Sequence, residues 1–180
     1  MFQTPTRSST RYERPANIDL DERYIFTLVK LEDEGISKFA DPAKGENFHN
    51  IRWEFNVAHA ESKTAIYDSE GARWVFIDYT TSKTGRNPSN GNVAKARLWI
   101  EALLGHQVED DEITADLPSK LVNRYAAGFF EEKDRQSQDG STYQRLQIMR
   151  LTNYKKGDVE AAAPPPPPPP PKVDDNELPF

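Results

Sequence analysis

A chain of 180 residues is long enough for one domain with a real core, plus tails. It contains no cysteine, which excludes a disulfide framework, a thiolate metal site and a thiol nucleophile. Its formal charge is −6, but residues 157–180 alone carry −4 of it, so the first 156 residues are close to neutral and can still hold a local basic groove.

Residues 1–17 are polar, with Pro5, Pro15 and several Ser, Thr and Arg, and predict a flexible N-terminal arm. They lack the hydrophobic segment of a signal peptide, and no apolar run in the chain approaches a membrane span, so a cytoplasmic location is expected. The body is expected to run from Ile18 to Lys156.

Its first strand is predicted over 23–33, "RYIFTLVKLED", with Ile25, Val29 and Leu31 on one parity. The second, 50–60, alternates: Ile51, Trp53, Phe55 and Val57 face one way, Arg52, Glu54 and Asn56 the other. The first set is expected in the core and Arg52 on the wet face. The third, 72–81, is apolar on both parities. If its aliphatic residues Val75, Ile77 and Tyr79 line the interior, Trp74 and Phe76 point outward.

The loop 80–92, "TTSKTGRNPSNGN", has two bases, no acid, and many hydroxyls and amides. Lys83 and Arg86 can meet phosphates there, and a mobile loop could close over a bound strand. "NVAKARLWIEALLGHQV" repeats apolar residues at helical spacing, with Asn92 as the expected cap, Gly105 at its end, and Lys95 and Arg97 on a solvated face. A shorter turn, "DLPSKLVN", follows with Asp116 as its cap. Strands over 124–132, where Gly128 marks a bulge or tight bend, and 142–154 complete the body. Tyr143 and Arg145 lie on the parity opposite Leu146 and Ile148, which places them on the outer surface.

Three strands, a helix and two strands are the order of an OB-fold. That is a mainly β, five-stranded Greek-key barrel with its helix between strands three and four. A generic α+β sandwich is the alternative topology.

The chain lacks the patterns of an enzyme. There is no phosphate-binding Gly-rich loop ending in Lys-Ser/Thr and no serine in a nucleophile elbow. His49, His59 and His106 are scattered, and the acids of 109–112 are a solvated surface before they are a metal cluster. No cofactor or metal is expected, and binding is the default activity. An outward aromatic pair such as Trp74 and Phe76 stacks unpaired bases at roughly 1–3 kcal/mol each without regard to sequence. With Arg52, Lys83, Arg86, Tyr143 and Arg145 supplying charge and further ring surface, these seven residues are the candidate DNA-binding set.

The chain ends "AAAPPPPPPPPKVDDNELPF". The proline run favours a stiff polyproline II spacer of about 25 Å. Residues 157–171 are expected to be a disordered linker, and 172–180 a bait whose acids, Leu178, Pro179 and terminal Phe180 fit a basic-rimmed apolar pocket on another protein.

This terminus, "DDNELPF", resembles the acidic tip of bacterial and phage single-stranded DNA-binding proteins, which end in an aspartate-rich run, an aliphatic residue and Pro-Phe. The body, with "IRWEFNV", "TTSKTG" and "WIEALLGH", resembles small phage OB-fold proteins. The resemblance implies non-specific single-stranded DNA binding in DNA replication, recombination or repair, in the host cytoplasm if phage-encoded. It implies recruitment of replication and repair proteins through Asp174, Asp175, Glu177, Leu178, Pro179 and Phe180. The chain departs from the family pattern in its polyproline linker, in Asn176 within the acidic run, and in lacking the N-terminal strand pattern of the bacterial homotetramer. The competing expectation is a non-catalytic adaptor whose polyproline tract binds SH3 or WW-type domains.

Overall fold

The computed structural model describes residues 14–87, 89–137 and 140–154. Five strands, β1 (Tyr24–Ile36), β2 (His49–His59), β3 (Val75–Thr81), β4 (Tyr125–Gln136) and β5 (Thr142–Asn153), form one antiparallel sheet in the order β3-β2-β1-β4-β5. Two helices, α1 (Lys95–Leu104) and α2 (Leu117–Leu121), come between β3 and β4. The chain is therefore mainly β, with the elements in the predicted order. The C-terminal linker and tip lie outside the described residues.

The sheet is open but strongly curled. In a flat sheet β3 and β4 would stand about 14 Å apart, three intervals of about 4.8 Å. Instead the Phe130 ring of β4 lies 4.9 Å from Phe76 of β3 and 5.8 Å from Trp74, centroid to centroid. The curl brings the two edge strands together. Among the described residues no backbone ladder joins β3 to β5; the Asp78 carboxylate accepts the Ile148 N–H across the gap at 3.0 Å.

Rings fill the interior. Phe26 meets Phe55 and Phe130 edge-on, and Trp99 of α1 inserts edge-on against Trp53 and Phe55. Each such pair adds about 0.5–1.5 kcal/mol beyond its burial. The Trp53 indole N–H, which would be costly to bury alone, donates to Thr80 Oγ1 at 2.9 Å. Two glycines permit close approaches. A Cβ on Gly128 would lie 2.1 Å from the Arg150 carbonyl oxygen, where β4 and β5 change register. Gly105 ends α1 at φ 83° with its N–H on the Glu101 carbonyl, and a Cβ there would strike Asn153.

Five sequence expectations are corrected. In β1 Ile25, Val29 and Leu31 do not share one face: Tyr24, Phe26 and Leu28 are buried opposite Ile25, while Leu31 pairs with Trp53 and packs against the core. A register shift between Leu28 and Lys30 leaves Val29 as an extra residue and breaks the parity. In β3 the faces are reversed: Trp74 is 5% exposed and Phe76 1%, while Val75 is exposed and Ile77 and Tyr79 are half-buried. The larger rings take the interior because they bury more apolar area, and Phe130 is placed to meet them. Helix α1 starts after Ala94, not Asn92, because residues 86 and 93 pair in a small bridge first. Asp116 does precede α2, but its side chain bonds Lys120 and Thr114 and makes no cap hydrogen bond.

Arg97 is the fifth. It is buried, not solvated. Its guanidinium joins the Thr84 carbonyl, the Val108 carbonyl, Glu101 and Asp110, tying the loop before α1 to the loop after it. Paired with Asp110, it is held even more firmly protonated than an ordinary arginine. The acids of 109–112 are exposed, as expected, yet Asp110 meets Arg97, and Glu112 meets His106 and accepts the Glu109 N–H.

Candidate nucleic-acid interface

The gap between β3 and β5 opens as a cleft of about 550 Å³. Strand alternation explains its lining. With Phe76 and Asp78 turned inward, Ile77 and Tyr79 must turn outward on β3. Tyr143, Arg145 and Leu146 face them from β5, and the largely buried Trp74 also borders the cleft. Arg14 and Glu132, ion-paired with one another, stand at its rim.

Tyr79 is the centre of this surface. The Arg145 guanidinium carbon lies 5.3 Å from its ring centroid, a cation–π distance. Arg52 is its register partner on β2 and shares its face. Arg52 also pairs with Glu54 at 3.1 Å, and its buried Nε lacks a hydrogen-bond partner. Tyr143 is exposed two residues from Arg145.

Beneath the cleft Asp78, 4% exposed, gathers the local charge. Its carboxylate accepts the N–H groups of Tyr79 and Ile148, and lies 3.4 Å from Lys95 Nζ and 4.0 Å from Arg145. Lys95 also packs 4.5 Å above the Trp99 ring. Desolvation lowers the Lys95 pKa, Asp78 opposes that shift, and Arg145 and Arg135 add to it. Lys95 is exposed, as expected, and its ammonium also reaches the seam. On β4 and β5, Gln147 bridges Arg135 to Glu131, whose carboxyl is held below its usual range chiefly by that amide.

Of the seven sequence-predicted residues, the structure brings Arg52, Tyr143 and Arg145 together around Tyr79. Trp74 and Phe76 are interior, against the expectation that they point outward, although Trp74 still borders the cleft. Lys83 lies at the far end of β3, 4.0 Å over the Phe48 ring and 3.8 Å from Glu46. Arg86 is bound to Glu101 at 2.9 Å on α1, away from the cleft. The loop 80–92 is fastened rather than free to close: Ala94 N–H bonds the Gly85 carbonyl, Asn87 N–H the Asn92 carbonyl, and Arg97 the Thr84 carbonyl. Tyr79 was missed because its parity was assigned to the core. Its partnership with Arg145 spans 66 residues of sequence and leaves no local pattern.

Among the described residues no group of three or more His, Cys, Asp or Glu side chains is arranged to hold a metal ion, and no helix is long and apolar enough to cross a membrane. No protein-family model matches this chain, and no curated protein matches it.

Proposed function

We propose that the protein binds single-stranded DNA without sequence preference through the β3–β5 cleft, and that its barrel is an OB-fold. The order β1-β2-β3-helix-β4-β5, with β1 between β2 and β4 and the outer strands drawn together, supports that fold. The observation that carries the function is the outward Tyr79 ring flanked by Arg145, Tyr143 and Arg52 over an open cleft. A tyrosine face stacks any base, and arginines beside it meet the phosphates.

The acidic tip, residues 172–180, recruits replication and repair proteins in this reading, a role resting on its sequence alone. The polyproline adaptor is not favoured by any feature of the described residues.

Titration with oligo-dT at two salt concentrations tests the proposal. All three tryptophans are buried, and only Trp74 borders the cleft, so quenching should come from Trp74 and vanish in Trp74→Phe. Affinity should fall with salt and fall again in Tyr79→Ala. Binding that ignores both salt and Tyr79 would sink it.

A further inference from the structure

A second concavity of about 380 Å³ lies at the end of the β2–β3 ladder, lined by Glu46, Asn47, Phe48, Ser82 and Lys83. Its floor is fixed. Ser82 N–H donates to the His49 carbonyl and Ser82 Oγ accepts the His49 N–H, so the two strands stay joined one step beyond β3. Ser37 N–H bonds the Phe48 carbonyl and ties the same point to the end of β1. The serine hydroxyl, which accepts from His49, still has its own proton to donate. Lys83 is held by the Phe48 ring and Glu46 but remains half-exposed, so its charge can be reached from solvent.

Position gives the pocket its meaning. Ser82 stands three steps along the chain from Tyr79, just past the end of β3, a run of about 10 Å at strand spacing. The adjoining loop carries Phe39, whose ring is 77% exposed and has Lys38 Nζ 5.2 Å from its centroid. A phosphate donor pair and a bare ring beside a cation are the two parts a nucleotide needs.

We propose that this loop end is a second nucleotide-binding station, continuing the path of the bound strand out of the cleft. Lys83 and Ser82 take a phosphate and Phe39 takes a base. The inference rests on the single-stranded DNA reading of the cleft and extends its footprint along β3. Glu46 partly neutralises Lys83 and moderates the station's affinity.

The test compares oligo-dT of about 4 and about 16 nucleotides, the range a single barrel covers. With the longer strand, Phe39→Ala should weaken binding roughly fivefold or more. Lys83→Ala should reduce the slope of log affinity against log salt by about 0.7, one phosphate contact. Glu46→Gln, which keeps an acceptor for the Asp41 N–H, should tighten binding of the longer strand. The shorter strand should feel all three changes less. Equal losses at both lengths, or no loss at either, would overturn the second station while leaving the cleft intact. A wild-type chain that binds neither oligonucleotide overturns the cleft reading itself, and the second station with it.

Discussion

Two sides of one strand divide the molecule. Phe76 and Asp78 of β3 face inward; Ile77 and Tyr79, their neighbours in sequence, face outward. The inner side is an aromatic core in which Phe130 touches Tyr24, Phe26, Trp74 and Phe76. The outer side is a sparse surface of two tyrosines, Tyr79 and Tyr143, and two guanidiniums, Arg145 and Arg52. A ring's size says where it packs, and the outward face of a strand is found only after the inward one is known. The outward ring, Tyr79, stands between Asp78 and Thr80, two charged or polar neighbours.

This contrast can be broken deliberately, starting inside. Phe130→Ala removes the ring shared by both halves of the sheet and should cost about 3–5 kcal/mol in urea denaturation. A loss below 1 kcal/mol would mean the two edges do not depend on a common core. Asp78→Ala should come next. It leaves the Ile148 N–H without its acceptor and Lys95 without its carboxylate, for a loss of about 1–3 kcal/mol. Amide exchange at Ile148 should accelerate more than exchange at the β1–β2 ladder. Equal exchange would show that the carboxylate does not hold the seam.

The outer side should respond in the opposite sense. Tyr79→Ala should cost about 1–3 kcal/mol of DNA affinity while changing stability far less than Phe130→Ala. A variant that binds normally but unfolds early would place Tyr79 with the core instead. A smaller effect is expected from alkali. Burial pushes the Tyr24 hydroxyl up to about 12, above its ordinary 10.0. The folded state therefore keeps its full stability below pH 10 and loses it as pH rises toward 12, because the unfolded chain ionises first. Tyrosinate absorbance followed against circular dichroism should register both changes together. Ionisation of all seven tyrosines near pH 10 with structure intact would contradict it.

Much of the fold was legible from alternation. The clean β2 pattern placed Trp53, Phe55 and Val57 inside correctly. Element order and the Gly105 terminus followed from periodicity and from the need for a left-handed residue. What failed were strands whose two parities are both apolar. In β3 either face could be buried on hydrophobicity alone, and Phe130, a residue 54 positions away, decides between them. In β1 the bulge at Val29 shifts the phase midway, and no local residue announces it. The site was half visible for the same reason: Arg145 and Tyr143 could be placed on the outer surface, whereas Tyr79 could not. Arg97 was misplaced because its partners, Asp110 and the Thr84 and Val108 carbonyls, are supplied by other segments.

The carboxylate that links β3 to β5 also guards that junction. Strand edges invite pairing with a second extended chain, the first step toward aggregation. Here an intruding chain would have to cover Asp78, Lys95 and Arg145 and take the Ile148 N–H from its present acceptor. Charge stripped of water and of its partners is costly to enclose, so self-association along this line is opposed by the residues that close it.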